Sequence, residues 1–267
     1  MNQTALEKLY KSYTGNEPDR VDELPSSGSN RRYFRLYGDK TLIGVIGESL
    51  KENEAFIYMA EHFKRNGLPV PEVLAVSDDK MYYLQEDLGD TLLFQAIEKG
   101  RLTRSFSAEE RDILVKTIRL LPDLQFGGAV GLDFKYCYPS PQFDVRSIMW
   151  DLNYFKYCFL KATGIDFLED KLEDDFQALA DVLMRSQSGT FMYRDFQSRN
   201  VMIKDGEPWF IDFQGGRKGP FYYDVASFLW QAKANYPDSL RKDLIKEYID
   251  SLRKYQYIDE GYFMEQL

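Results

Sequence analysis

Residues that build metal and disulfide sites are scarce in this sequence. Its 267 residues include one His and two Cys. Cys137 and Cys158 lack the spacing of metal ligands, which favours a reduced, cytoplasmic chain over a disulfide-bonded one. Long apolar runs are missing as well, and charges interrupt the N-terminal residues, so we expect neither a membrane span nor a secretory signal.

An excess of basic residues is also missing, because 34 Lys and Arg stand against 43 Asp and Glu, for a formal net charge of −9. This balance argues against nonspecific nucleic-acid binding, which requires clustered cations. Hydrophobic residues make up 44% of the chain and aromatic residues 15%, as is typical of globular proteins. The length is sufficient for one bilobed domain or two small ones.

The most informative segment runs from Phe191 to Phe213, F-M-Y-R-D-F-Q-S-R-N-V-M-I-K-D-G-E-P-W-F-I-D-F. Two short apolar runs flank an Asp-Gly pair, which predicts a β-hairpin because glycine supplies the positive φ of tight turns. The hairpin would return Asp212 to the level of Asn200, with Asp195 one loop away. Carboxylate and amide oxygens in this arrangement suit Mg²⁺ held together with phosphates. The segment therefore predicts the catalytic core of a phosphotransferase.

The order of these residues resembles the kinase catalytic loop, His-Arg-Asp-x-x-x-x-Asn, followed by Asp-Phe-Gly. It is similar to the aminoglycoside phosphotransferase and choline kinase-like superfamily, and most similar to the anomeric sugar kinases (N-acetylmuramate/N-acetylglucosamine 1-kinase). The matching residues are 194–202, 211–214 and 219–227, and Tyr193 stands where that family has His. The resemblance implies that Asp195 is the catalytic base and that Asn200 and Asp212 hold Mg²⁺.

The same resemblance implies an α+β, bilobed, protein-kinase-like fold. Residues 1–88 would form the nucleotide-binding lobe, and residues 89–267 the helical catalytic and substrate lobe. ATP would be the phosphate donor, and the acceptor would be a hydroxyl group of a small molecule. The first candidate is the anomeric hydroxyl of an N-acetylated amino sugar. Another small-alcohol kinase, of aminoglycoside or choline type, would share every catalytic residue. A protein kinase is disfavoured because an A-P-E segment is missing.

A glycine-containing polar stretch precedes an aromatic strand between residues 24 and 37. Short side chains let backbone N–H groups approach an anion closely. The stretch Ser29–Arg35 resembles the S-x-R-R-Y-x-R loop of the sugar 1-kinases. The predicted nucleotide contacts from this loop are Ser27, Gly28, Ser29, Asn30, Arg32 and Arg35.

The next predicted strand, at residues 41–46, lacks the Lys with which protein kinases bind phosphates. We expect Arg32 or Arg35 to supply that charge instead. Glu54, on a helix predicted at 52–66, is the candidate for the acid that pairs with such a cation. Its alternative role is that of an exposed first-turn acid favoured by the helix dipole. The missing Lys also leaves open a nucleotide-binding pseudokinase scaffold.

Residues 86–90, E-D-L-G-D, follow strands predicted at 70–76 and 81–85 and resemble the superfamily's hinge. In such hinges backbone groups contact the adenine edge, here the C=O of Glu86 and the N–H of Leu88. Beyond the hinge the apolar period becomes helical. Helices are predicted at 92–99, 108–121, 144–162, 169–185, 224–232 and 240–255.

Two residues of the helical lobe are candidates for binding the acceptor. Asp151 lies on the polar side of the helix at 144–162, and Arg199 lies in the catalytic loop. A solvated helix face is the alternative for Asp151. Relatives of the sugar 1-kinase type generally carry further helices beyond the last predicted helix, at 240–255, so we expect either a trimmed chain or a shorter lobe. The oligomeric state is not indicated.

Overall fold

The computed structural model describes residues 3–25, 31–186 and 189–267. The first third of this described part combines five strands with two helices, and helices dominate the rest. The first third contains α1 (Gln3–Thr14), β1 (Arg20–Leu24), β2 (Arg32–Tyr37), β3 (Leu42–Ile46), α2 (Leu50–Arg65), β4 (Val73–Val76) and β5 (Tyr82–Glu86). The remainder contains α3 (Leu93–Ala96), α4 (Glu98–Thr103), α5 (Ala108–Pro122), α6 (Val145–Phe155), α7 (Glu169–Met184), β6 (Thr190–Met192), β7 (Val201–Lys204), β8 (Glu207–Phe210), β9 (Arg217–Gly219), α8 (Phe221–Leu229), α9 (Asp238–Leu252) and α10 (Glu260–Gln266).

Strands β1 to β5 form an antiparallel sheet in the order β1-β2-β3-β5-β4. Strand β3 lies at its centre and is buried along its whole length. Successive side chains of a strand point to opposite faces. Accordingly, Ile43 and Val45 pack in the cluster that contains α2, whereas Leu42 and Ile46 pack in the cluster that contains α1. The sheet is therefore covered by one helix on each face.

Helix α2 connects this sheet to the remainder of the chain. It begins after Ser49, whose side chain caps the backbone N–H of Glu52, so it starts two residues earlier than predicted. Phe56 stacks on Phe213 with ring centroids 5.2 Å apart, and Phe63 contacts the same ring edge-on at 5.3 Å. The helix therefore packs directly against the segment that follows the predicted hairpin.

The helical part differs from expectation in several places: α6 ends at Phe155 rather than at residue 162, and α10 was not predicted. The helix predicted at 92–99 is divided into α3 and α4. Gly100 lies inside α4, where a Cβ would come within 2.4 Å of the Phe106 ring, and Arg104, after the end of the helix, has a left-handed φ of 59°. Helix α8 begins three residues before Asp224, directly after Pro220. Both regions are helical as predicted, but the helices begin and end at other residues than predicted.

The expected α+β architecture with an antiparallel sheet and a helical part is confirmed. The last strand of the sheet ends at Glu86, and the helices of the helical part begin at Leu93. A lobe boundary after residue 88 is compatible with this change, and it stays a prediction. Within the described ranges, no helix combines the length and the apolar character needed to cross a membrane.

Candidate active site

The hairpin predicted after the catalytic loop is present. Strands β7 and β8 pair antiparallel, from Val201 opposite Phe210 to Lys204 opposite Glu207. The two turn residues, Asp205 and Gly206, have φ values of 54° and 76°, as a two-residue hairpin turn with positive φ at both positions requires. At the open end of the hairpin, the N–H of Ile211 donates to the carbonyl oxygen of Asn200 over 3.1 Å. The chain therefore brings Asp212 back beside Asn200.

Asn200 and Asp212, whose side chains both carry oxygen, lie at this open end, and the Asn200 side chain is hydrogen-bonded to the backbone of Asp195. The Asn200 amide Nδ2 donates to the backbone oxygen of Asp195 at 2.8 Å, which leaves its Oδ1 as an acceptor. Gln214 Nε2 donates to Oδ1 of Asp212 at 2.6 Å, which leaves the second carboxylate oxygen. Asp212 has a left-handed φ of 64°. Such a conformation is uncommon for a residue other than glycine, and residues that adopt it cluster at functional sites.

This donor set fits a hard cation. Carboxylate and amide oxygens are the ligands that Mg²⁺ prefers, with water and substrate phosphates completing its octahedron. Across the described residues, no three His, Cys, Asp or Glu side chains come close enough to hold a metal ion by themselves. Asp212 and Asn200 would therefore hold the ion jointly with phosphate oxygens.

The carboxylate of Asp195 reaches the solvent, but the surrounding protein removes much of the water around it. This desolvation raises the pKa of Asp195 above its ordinary value, Arg194 lowers it, and Asp212 raises it again. The charges of Arg194 and Asp212 are thus close enough to act on the predicted base. Asp195 and Asp212 belong to one electrostatic site.

Asp224 fixes the backbone of the catalytic loop from below. Its carboxylate is fully buried and accepts the N–H groups of Tyr193 at 2.9 Å and Arg194 at 2.8 Å. Gln125 Nε2 donates to it at 2.9 Å. Burial raises the pKa of Asp224 to about 7, although these three hydrogen bonds act in the opposite direction. The brace holds Arg194 at a left-handed φ of 75° immediately before Asp195.

Tyr193, at the position where the family has His, also braces the loop. Its ring is fully buried, and its hydroxyl donates to the carbonyl oxygen of Ile211. Burial raises the pKa of Tyr193 well above its ordinary value, so the hydroxyl stays protonated as a donor. One side chain thereby links the residue before Asp212 to the residues before Asp195.

The two predicted acceptor-binding residues lie in different places. Asp151, on α6, accepts a hydrogen bond from Arg194 Nη2 at 2.8 Å and therefore lies beside the catalytic loop. The guanidinium of Arg199 lies over the ring of Phe94, 4.5 Å from its centroid, and thus against helix α3. The structure brings Asp151, but not Arg199, next to Arg194.

The predicted nucleotide loop is only partly described. Ser27, Gly28, Ser29 and Asn30 lie outside the described residues. Arg32 forms a salt bridge to Glu23 at 2.8 Å, and both side chains are about half exposed. Arg35 binds Asp87 at 2.7 Å and Asp90 at 2.6 Å, so it clamps the hinge to the sheet.

Arg32 and Arg35 are both engaged with nearby carboxylates, and their assignment to the charge of the missing strand Lys stays a prediction. Arg31, which was not among the predicted nucleotide contacts, is more deeply buried than either, with 3% of its surface exposed. It pairs with Glu52 at 3.2 Å and lies over the ring of Phe56, 5.4 Å from the centroid.

The assignment of Glu54 to the nucleotide site likewise stays a prediction. Glu54 pairs with Lys80 at 2.7 Å on the surface. Glu52 and Glu54 are two residues apart, which is roughly 200° around a helix, so only one of them can face the sheet. Glu52 precedes the buried Phe56 by four residues and shares its face. That spacing was a signal in the sequence for Glu52.

Arg31 and Glu52 belong to the same electrostatic neighbourhood as Asp212. Burial raises the pKa of Tyr33, Arg31 lowers it, and Asp212 raises it again. All these charges therefore act on one hydroxyl.

The hinge residues Glu86 and Leu88 lie between the sheet and the helical lobe. The Glu86 carboxylate bridges Lys204 of the hairpin at 2.6 Å and Lys64 of α2 at 3.3 Å. Burial alone would raise the pKa of Glu86, but the two lysines outweigh it and lower the pKa. Leu88 is buried. Their backbone contacts to adenine stay a prediction.

The chain has an antiparallel sheet with one helix against the catalytic segment, then a hinge, and then a helical lobe whose catalytic loop leads into a hairpin. Together these features define a kinase-like phosphotransferase. The chain belongs to the phosphotransferase enzyme family, whose family model matches residues 20–258. The resemblance found in the sequence is thereby confirmed.

Individual relatives agree with this assignment. An N-acetylmuramate/N-acetylglucosamine kinase of Neisseria meningitidis serogroup B is 26% identical over 244 residues, which cover 88% of this chain and 70% of the relative. The ADP-bound aminoglycoside phosphotransferase APH(2″)-Ib has a TM-score of 0.65 at 13% identity, covering 100% of this chain and 95% of its own. Choline kinase from Cryptosporidium parvum has a TM-score of 0.67 at 15% identity, covering 97% and 81%. The two structures establish the fold.

The family and its kinase-named members establish the reaction class. The protein is an enzyme that uses a nucleotide to phosphorylate a hydroxyl group of a small molecule.

Proposed function

We propose that the enzyme transfers the γ-phosphate of ATP, in the presence of Mg²⁺, to the anomeric hydroxyl of an N-acetylated amino sugar, N-acetylglucosamine or N-acetylmuramate. The observation that carries the proposal is the return of Asp212 to Asn200 by the β7–β8 hairpin, with Asn200 bonded to Asp195 at 2.8 Å. The kinase from N. meningitidis, which carries these sugars in its name, supports the choice of acceptor.

Phosphoryl transfer depends on positioning and charge neutralisation more than on covalent chemistry. Mg²⁺ held by Asn200 and Asp212 would neutralise charge on the phosphates. Asp195 accepts the proton of the attacking hydroxyl. An anomeric hydroxyl is more acidic than an ordinary alcohol, so a carboxylate is a sufficient base. Asp151, joined to the catalytic loop through Arg194, lines the acceptor side.

On the donor side, the adenine edge is assigned to the backbone of Glu86 and Leu88. The phosphates are assigned to residues 27–30 and to Arg31, which its pairing with Glu52 holds in place. Arg31 thus takes the role first expected of Arg32 or Arg35.

The first test replaces the proposed base. Asp195→Asn keeps the size of the side chain but removes the proton acceptor, so turnover should fall ~10²–10⁴-fold. Asp205→Asn makes the same change at the exposed hairpin turn, where Asn tolerates a positive φ, and should leave turnover unchanged. Near-full activity of Asp195→Asn would remove it from this role.

The second test identifies the acceptor. N-acetylglucosamine, N-acetylmuramate, kanamycin and choline are incubated with ATP and Mg²⁺, and the products are analysed by ³¹P NMR. The proposal requires an anomeric sugar phosphate. Phosphate on kanamycin or choline alone would replace the sugar by another small alcohol. ATP binding without transfer to any acceptor would support the scaffold alternative.

A further inference from the structure

Arg217 is a buried cation that has no acidic partner among the residues that the structure describes. Only 1% of its surface is exposed. Its Nε and Nη2 both donate to the carbonyl oxygen of Gly215, at 3.1 and 2.9 Å. Its Nη1 has no hydrogen-bond partner, and no carboxylate within the described ranges forms a salt bridge with it. Burying a charge in this way is destabilising unless it is paired, so the stability of the fold does not explain this residue.

The position of Arg217 places this charge beneath the catalytic loop. Strand β9 pairs with β6 so that Arg217 lies opposite Met192, and β6 leads directly into the loop. Desolvation and the nearby Arg194 lower the pKa of Arg217, whereas Asp151 and Asp195 raise it. The guanidinium therefore lies within electrostatic reach of the base and of the Arg194–Asp151 pair.

The carbonyl that Arg217 holds belongs to a peptide beside the base. A Cβ on Gly215 would lie 3.7 Å from Oδ2 of Asp195. The N–H of the next residue, Gly216, donates to the carbonyl oxygen of Phe213 at 2.9 Å. The peptide between the two glycines therefore lies next to Asp195 and is hydrogen-bonded to Phe213, the residue that follows Asp212. A shift of this peptide would change the surroundings of Asp195.

We propose that Arg217 is a positioning residue for phosphoryl transfer. It fixes the Gly215 carbonyl beside Asp195, and it places a permanent positive charge below the point where the negatively charged phosphoryl group meets the acceptor. In a partly dry site such a charge acts without having to reorganise during the reaction. The proposal rests on the proposed function, because it assigns Arg217 to the same transfer step.

The decisive comparison is between Arg217→Met and Arg217→Lys. The Met variant removes the charge and both hydrogen bonds, so kcat should fall by roughly 10- to 100-fold, the effect of a small misplacement of reacting groups. Because only 1% of the Arg217 surface is exposed, we expect it to make no direct contact with the nucleotide, and KM for ATP should change by less than about threefold. The Lys variant keeps the charge and should recover at least about tenfold of the lost kcat.

Stability separates this role from a merely structural one. Removing a buried, unpaired charge should leave the thermal midpoint of Arg217→Met unchanged or raise it. Lys218→Met is the matched control, since it removes the same charge from the exposed neighbouring position and should behave as wild type. The proposal is overturned if Arg217→Met keeps its kcat. It is also overturned if the midpoint and kcat fall together and Lys restores neither.

Each variant is assayed both with N-acetylglucosamine and without any acceptor, when water receives the phosphoryl group. If the wild type hydrolyses ATP but phosphorylates no sugar, the acceptor assignment fails and Arg217 is judged by its effect on hydrolysis. If the wild type neither binds nor hydrolyses ATP, the proposed function and the role of Arg217 fail together.

Discussion

Replacing Arg31 by Met is expected to weaken nucleotide binding and stability, whereas the same change at Arg32 should affect neither strongly. The two arginines are adjacent in the chain but differ in environment. The side chain of Arg31 is 3% exposed and pairs with Glu52, while that of Arg32 is 46% exposed and pairs with Glu23. Each is therefore the matched control of the other.

The environments set the size of the stability effect. Breaking a fully buried ion pair by removing one partner costs about 3–5 kcal/mol. Glu52 retains 31% exposure of its side chain, so water can partly solvate the carboxylate left behind. We therefore expect Arg31→Met to lower the free energy of unfolding by about 1–3 kcal/mol. The exposed Arg32–Glu23 pair should contribute about 0–1 kcal/mol.

The effect on the nucleotide follows from the charge. A hydrogen bond from a guanidinium to a phosphate contributes about 1.5–3 kcal/mol. Its loss in Arg31→Met corresponds to a Kd for Mg·ATP that is ~10- to 150-fold higher. Glu52→Gln should weaken binding in the same direction, because Arg31 loses the partner that orients it. Glu54→Gln should not, since Glu54 pairs with Lys80 on the surface.

Urea unfolding without nucleotide measures the stability term, and titration with a fluorescent ATP analogue measures Kd independently of any acceptor. Arg31→Lys, which keeps the charge, should bind nucleotide better than Arg31→Met. The reasoning is refuted if Arg31→Met binds Mg·ATP like the wild type while Arg32→Met weakens it. That result would place the phosphates on the exposed side of the strand.

Two further substitutions test the packing beneath the site. Gly216→Ala would place a Cβ 2.1 Å from the buried Phe191 ring, so the free energy of unfolding should fall by about 1–3 kcal/mol or more. A Cβ at Gly215 would lie 3.7 Å from its nearest neighbour, so Gly215→Ala should change the free energy of unfolding little. Equal urea midpoints for the two variants would contradict this. The N–H groups of Tyr193 and Arg194 donate to different oxygens of the Asp224 carboxylate, and an amide has only one oxygen. Asp224→Asn should therefore lower the free energy of unfolding by about 1–3 kcal/mol and lower kcat. A stable, fully active Asp224→Asn would show that the brace is dispensable.

The hairpin was predictable because its signal is local. An Asp-Gly pair between two apolar runs restricts the turn to positive φ, and this alone determines which residues lie at the open end. The apolar period of α2 was predictable for the same reason. The fold class followed, since the order of these elements along the chain admits few arrangements.

The partners of the charged residues were not predictable in the same way. Arg31, Arg32 and Arg35 lie within five positions, and the first lies one residue before the strand begins. Alternation along a strand separates neighbouring side chains onto opposite faces, but it does not say which face is buried. That depends on α2, whose Glu52 meets Arg31 only after the sheet and the helix have packed.

The predicted helix ends were wrong for a related reason. Glycine is a common helix terminator, yet Gly100 lies within α4 because the Phe106 ring occupies the space that a Cβ would need. Tyr193 shows the opposite situation. The sequence showed only that Tyr193 stands where the family has His, whereas in the structure its buried hydroxyl donates to the carbonyl oxygen of Ile211 and links the two halves of the site. Tyr193 and Ile211 are 18 positions apart, so a local pattern holds no information about their contact.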